Sequence, residues 1–368
     1  MRLSVKWVVI ALLLVAVLAL GLVGGCAKSE QGTASTQGSE GAAQPATPSP
    51  STQTIVLKFA ATYSPNHPQA IADQAWFEKI EKETGGRVKF EPVWGGALMK
   101  ADQAFIELAN GVADVSEFSG AYVKEGFDIE KAMRVLFCNV PDREVARRIY
   151  HELRAKYPQI DAEFSKIKVL AYHAITPYQV ATVKKPIRKV GDFKGLMLKV
   201  SGDHLKIAQA LGADASPIPM SETYVALQKG TIDGAMVPYE TLKSFRFGEV
   251  VKYVTELNMA TGPTPHRGMN LNTWNKLPPD IQKVFEDNIE WYGRKIEEEL
   301  FKADASGIDF AKQQGVEFIK LSDEELKKYR NVVDKVIQEQ AKALDTKGLP
   351  GTQIYEDIKR LSDQYLKK

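Results

Sequence analysis

Five histidines (His67, His151, His173, His204 and His266) and two cysteines (Cys26 and Cys138) are where chemistry would be sought first in this chain. None of the histidines lies at metal-ligand spacing from another histidine or a cysteine, and the pattern H-E-x-x-H is absent. The G-x-S-x-G elbow, the phosphate loop ending in Gly-Lys-Ser/Thr and the fingerprint G-x-G-x-x-G are absent too. Gly95-Gly96 is a bare pair that reads as a turn. Cys138, in Val135-Leu136-Phe137-Cys138, reads as a small buried apolar residue. An enzyme is therefore disfavoured, with carboxylates hidden among 46 acidic residues as its remaining route. Formal net charge is +2 with the signs interspersed, so there is no basic block to neutralise nucleic-acid phosphates. No cofactor or metal is expected.

Arg2 and Lys6 precede an uncharged apolar run, Trp7 to Leu22, that leads into Val23-Gly24-Gly25-Cys26. This resembles a bacterial lipoprotein signal, in which Cys26 becomes the acylated N-terminus. A plain membrane anchor is the other reading, since a span needs roughly 17–20 apolar residues. Residues 27–53 are Ser, Thr, Gly, Pro and Gln with little to bury, the composition of a disordered tether.

Beyond the tether the chain alternates between strand and helix patterns. Ile55 to Ala61 reads as a strand, Gln69 to Thr84 as a helix and Val88 to Val93 as a strand. Trp94 then stands before Gly95-Gly96, where its ring could close over a ligand; a core Trp is the other reading. Residues 101–110 are expected helical, 113–116 a strand, 143–157 a charged helix and 166–173 a strand. From Gly191 to Glu240 the pattern is strand–helix–strand–helix–strand, with Gly212 and Gly230 as stops. There Ser221 reads as a helix cap, with Glu222 complementing the helix dipole. Further strands are expected at 251–258, 268–271 and 316–319, and a charged helical tail follows. After Pro279, the stripe Ile281, Phe285, Ile289, Tyr292, Ile296 and Leu300 predicts one long helix to about residue 312. It would be roughly 50 Å long. The alternation points to an α/β fold.

The ordered series Phe193-Lys194-Gly195-Leu196, Lys199-Val200, Leu211-Gly212-Ala213, Pro217 with Met220, Glu222 with Tyr224 to Gln228, and Asp233-Gly234 carries a resemblance. With it go the His67-Pro68 loop, Thr84-Gly85-Gly86-Arg87-Val88, and Asn270, Trp274 and Leu277-Pro278. Together these resemble TRAP-transporter solute-binding proteins of the DctP type, from about Ile55 to the C-terminus. The resemblance implies a two-domain, periplasmic-binding-protein-like α/β fold with a hinged cleft. Domain I would be 54–174 and 259–285, domain II 175–258 and 315–368, and 279–314 a helix crossing both. From sequence alone that helix reads equally as a long packed one.

The resemblance also implies where a ligand lies. The family's carboxylate-binding Arg after Phe-Lys-Gly falls on Lys199, a compact charge without the bidentate fork of Arg. A second family Arg falls on Tyr178, with Gln179 beside it, and a polar residue before Pro238 is replaced by Val237. Ser119 and Tyr122 follow a strand where the family places pocket residues. Tyr239 and Phe245 are candidates for the cleft wall, and Arg267 for a substitute anchor. Lys199, Tyr178 and Val237 argue against a four-carbon dicarboxylate and for an anion with an apolar or aromatic body.

The expected function is the extracytoplasmic, lipid-anchored binding component of a TRAP transporter, which captures a small carboxylate and delivers it to membrane permease subunits. The alternatives are a stand-alone ligand sensor, a binder of four-carbon dicarboxylates or an amino acid, and an enzyme on the same scaffold.

Overall fold

The computed structural model describes residues 54–140 and 142–366; Cys26, the apolar run before it and the 27–53 segment lie outside them. The chain begins with β1 (Ile55–Ala60), α1 (Pro68–Glu83), β2 (Val88–Val93), α2 (Ala104–Ala109) and β3 (Val115–Glu117). Next come α3 (Asp128–Leu136), α4 (Arg143–Lys156), α5 (Gln159–Ala162), β4 (Ile167–His173) and β5 (Tyr178–Thr182). The middle runs β6 (Met197–Lys199), α6 (Leu205–Ala210), β7 (Asp214–Ser216), α7 (Met220–Lys229), β8 (Gly234–Pro238) and α8 (Thr241–Ser244). It continues with β9 (Tyr253–Met259), β10 (Thr264–Asn270), α9 (Leu271–Lys276), α10 (Pro279–Asp287) and α11 (Ile289–Gln313). The last elements are β11 (Glu317–Lys320), α12 (Asp323–Asp345) and α13 (Gly351–Leu366).

Two sheets form, each the centre of a lobe. The first has strand order β2-β1-β3-β10-β4 and the second β11-β9-β5-β8-β6-β7. In each sheet one strand is antiparallel to both its neighbours: β10 in the first, against β3 and β4, and β5 in the second, against β8 and β9. These are the strands that enter after crossing between lobes. The chain crosses from β4 to β5 and returns from β9 to β10, with Thr264 paired to His173 and Tyr178 to Met259 at the crossings and a register shift just beyond each. Each crossing is short, so the two lobes meet over a two-stranded hinge.

Helix α11 braces that hinge. It packs on α1 and β4 of the first lobe and on α8 near the second sheet. Close approach is made through two glycines: a Cβ on Gly293 would lie 2.1 Å from the Tyr172 carbonyl oxygen, and one on Gly307 2.1 Å from that of Tyr239. Between them, Glu297 accepts the Ala174 N–H at 2.9 Å, and Asp304 accepts the Glu240 N–H at 2.8 Å and the Thr176 hydroxyl at 3.1 Å. Two acids thus satisfy backbone and side-chain donors that the crossing strands leave open.

Three sequence expectations change here. The single helix from Pro279 is two, because Asn288 leaves the helical path (φ −99°, ψ −3°) and spends its side-chain amide on Val284 O and Glu83. The apolar stripe continues across the break, which hid it. Ser221 is not the cap of α7; Pro219 holds that position. The strand expected at 268–271 is seven residues, Thr264–Asn270, and Asn270 instead caps α9 by accepting the N–H groups of Asn272 and Thr273.

Candidate ligand-binding cleft

The lobes enclose a cleft of about 860 Å³, part of it open to solvent. First-lobe residues reach it from the loop after β1 and the end of β3, second-lobe residues from β5, β8 and the turns that follow β6 and β8, and helix α3, packed on α12, adds Arg134. Its walls are largely apolar or aromatic: Tyr63, Tyr122, Ile175, Tyr178, Met220, Pro238 and Phe245.

Its polar groups fall on two sides of the hinge strands. On the α3 side stands Arg134, 1% exposed, with Nη1 3.5 Å from His266 Nε2. Helix α3 forms because Ile129, Ala132, Met133 and Leu136 recur on one face, with Asp128 and Glu130 in its first turn and Arg134 in its last. The His266 ring also contacts Thr264 Oγ1 at 3.0 Å and the Phe118 carbonyl oxygen at 3.2 Å, and it packs 4.4 Å from the His173 ring. His173 is buried, and neither of its ring nitrogens has a hydrogen-bond partner among the described residues. Burial, with the neighbouring His266 and three arginines, holds its pKa well below the usual imidazole range, so it is neutral at pH 7. A neutral imidazole carries one ring N–H, and that of His173 has no acceptor among the described residues.

On the other side His67 and Glu240 face each other across the lobes, Nε2 to Oε2 3.8 Å, both about 5% exposed. The Phe245 ring meets His67 edge-on at 5.4 Å, and Tyr63 stacks on it at 4.8 Å. Burial, followed by the charge of Arg267, lowers the His67 pKa to about 3. Burial raises that of Glu240 to about 8; the Ser244 hydroxyl, which donates to it, opposes the rise and Asp304 adds to it. Asp304 itself is raised to about 6 by burial. The contribution of neutral Glu240 is whole below about 4.5 and lost as pH climbs through 8. The His67 contribution is whole above 6.5 and lost as pH falls toward 3. Glu240→Gln is therefore expected to flatten the decline in melting temperature between pH 5 and 8. An unchanged profile would show that Glu240 ionises freely in the fold.

Behind this wall, Arg267 is fully buried in an ion pair with Asp73, Nε to Oδ1 3.0 Å, and its Nη2 donates to the Tyr63 hydroxyl and to Gln69. Asp73 also accepts from the hydroxyls of Tyr63 and Tyr292.

Of the residues singled out in sequence, Ser119, Tyr122, Tyr178 and Phe245 line the cleft. Tyr178 lies 3.3 Å from Ser201 through its hydroxyl and packs edge-on against His204. The other six lie outside the lining. Lys199 is fully buried on β6, between β7 and β8. Gln179 accepts the N–H groups of Leu257 and Asn258, which fills the register shift where Asn258 takes positive φ. Val237 alternates away from the cleft into a core with Leu227 and Leu242. Tyr239 donates to Glu256, and Trp94 packs on Phe59 and Phe77. Arg267 is held by Asp73. Among the lining residues that sequence reading passed over are Arg134, His173, His266, His67, Glu240 and Ser201. An apolar stripe at 129, 132, 133 and 136 was the available signal for α3, and so for Arg134.

Comparison with known proteins agrees with this architecture. The family model "Bacterial extracellular solute-binding protein, family 7" (DctP) matches residues 59–343. The chain is 25% identical to the C4-dicarboxylate-binding periplasmic protein DctP of Rhodobacter capsulatus over 79% of this chain and 87% of that one. A TRAP periplasmic solute-binding protein of Desulfovibrio salexigens, solved as an open complex with the C-terminus of a symmetry mate in its ligand site, is 30% identical. The match has a TM-score of 0.68 and covers 84% of this chain and 96% of that one. A TRAP solute-binding protein of Rhodoferax ferrireducens with copurified benzoate has the same fold, with TM-score 0.77 and 24% identity over 85% of this chain and 99% of that one. A hinged two-lobed α/β chain with a donor-lined cleft, matched by the family model over most of its length, belongs to the family 7 (DctP-type) bacterial extracellular solute-binding proteins of TRAP transporters.

Proposed function

We propose that the cleft captures a small organic monocarboxylate with an apolar or aromatic body and that the loaded protein delivers it to membrane permease subunits. The observation that carries this reading is Arg134, the one fixed cation among the described cleft-lining residues. It is buried beside His266 and His173 in a cavity that also presents the apolar and aromatic walls of Tyr63, Tyr122, Ile175, Tyr178, Met220, Pro238 and Phe245. A buried guanidinium holds a carboxylate through short charge-assisted bonds, and the apolar walls favour a hydrocarbon body. Glu117 and Glu240 also line this part of the cleft and disfavour a second carboxylate beside them. The copurified benzoate of the Rhodoferax protein fits this class; the dicarboxylate of the Rhodobacter protein does not.

Closure follows from the same contacts. A ligand shifts an open–closed equilibrium only by its difference in affinity for the two states. Tyr63 and His67 follow β1 of the first sheet, and Tyr178 and Ser201 lie on or after strands of the second, so a ligand touching both sets binds the closed form better.

A thermal-shift screen against monocarboxylates, dicarboxylates, amino acids and sulfonates tests the class. A ligand at about a hundred times its dissociation constant adds roughly 2.7 kcal/mol of stability. The expected result is a shift confined to apolar or aromatic monocarboxylates, and a shift confined to dicarboxylates or amino acids would contradict the reading. Acylation of Cys26 would hold the protein at the outer side of a membrane. Cys26→Ala should then move it from the membrane to the soluble fraction, and retention of that variant would argue for an uncleaved anchor.

A further inference from the structure

We propose that the end of the cleft between His67 and Glu240 is a hydroxyl subsite, so that the ligand is a hydroxy-substituted monocarboxylate whose hydroxyl lies away from its carboxylate. The inference rests on the monocarboxylate reading above and adds the second anchoring point. The two anchors sit on different sides of the hinge. Arg134 meets His266 on the α3 side of β10, whereas the next residue, Arg267, turns to Asp73 of α1, which also bonds Tyr292 of α11.

The donor pattern at the second anchor is set by the structure. His67 Nδ1 accepts the Gln69 N–H at 3.2 Å, so the proton of the neutral ring lies on Nε2, which faces Glu240. The 3.8 Å gap exceeds hydrogen-bond reach. Glu240 is held in place, its side chain by Ser244 and its backbone N–H by Asp304. A hydroxyl set beside the pair can accept from His67 Nε2 and donate to the Glu240 carboxyl, completing both groups. A carboxylate there would meet the charge of Asp304 behind Glu240 with no cation among the described residues to offset it, Arg267 being already paired to Asp73. Tyr63, stacked on His67, and Phe245, edge-on to it, give the subsite flat apolar walls suited to a ring that carries the hydroxyl.

The test is calorimetry on the full chain with one skeleton and three substituents: phenylacetate, its meta- and para-hydroxy derivatives, and phenylene-1,3-diacetate. The better hydroxy acid should bind at least about tenfold tighter than phenylacetate, because a site built for a hydroxyl penalises its absence. The diacetate should bind no tighter than phenylacetate. Glu240→Leu and His67→Phe should each reduce the hydroxyl preference to within about twofold while phenylacetate still binds. Hydroxy acids within about twofold of phenylacetate in the unaltered protein would overturn the subsite alone. Failure of every one of these acids to bind would overturn the monocarboxylate reading, and the subsite with it.

Discussion

Arg134→Gln is expected to weaken binding of every carboxylate by about 2–5 kcal/mol, roughly thirtyfold to several thousandfold. The side chain is 1% exposed and lines the cleft beside His266. Loss of the charge leaves a buried carboxylate facing only neutral donors. Glutamine keeps hydrogen-bonding capacity and much of the length, so the far-ultraviolet dichroism should match that of the parent. Titration of both proteins with one monocarboxylate reads the difference. Affinity within threefold of the parent would remove Arg134 from the site and move the anionic end of the ligand elsewhere in the cleft.

Asp73→Ala should cost about 3–5 kcal/mol of folding stability, the penalty for leaving one member of a buried ion pair alone. Asp73 and Arg267 are both fully buried, and Asp73 also accepts from the Tyr63 and Tyr292 hydroxyls, each at 2.5 Å. Removing the carboxylate strands a guanidinium and two phenols at once, in the layer where α1 and α11 meet the first sheet. Urea unfolding of the variant measures the loss. A cost below 1 kcal/mol would mean that Arg267 finds another acceptor, with Gln69, already 3.1 Å away, the nearest candidate.

Sequence periodicity reached the fold further than the cleft. The strand–helix alternation and the Gly212 and Gly230 stops are local signals, and both glycines sit at positive φ where their helices end. Strand β5 escaped notice because all five of its residues are buried, so it shows no alternation. Helix α3 lacks a cap local in sequence: Phe127 is left-handed at its start, and the distant Glu163 carboxylate accepts the N–H groups of Ile129 and Glu130 instead. Those two elements carry Tyr178 and Arg134. Tyr178 could be placed through the family pattern, whereas Arg134 lies in a stretch that the motifs carrying the resemblance do not cover. Lys199 was assigned by analogy with a strand-end Arg, but the neighbours β7 and β8 enclose it. His173 and His266 enter a sequence reading only as possible metal ligands, at which spacing in sequence matters, and His67 also as part of the family's His-Pro loop. Their meeting in one cleft depends on the crossing strands, over separations of more than 90 residues for His173 and His266.

The most direct test of the central claim is parallel calorimetric titration of the protein at pH 7 with an aromatic monocarboxylate and with succinate. Saturable one-to-one binding of the monocarboxylate, with succinate at least tenfold weaker, is the expected result, since one buried guanidinium pairs one carboxylate. Succinate binding as tightly as the monocarboxylate would contradict it, and would place a second cation within reach of the closed cleft.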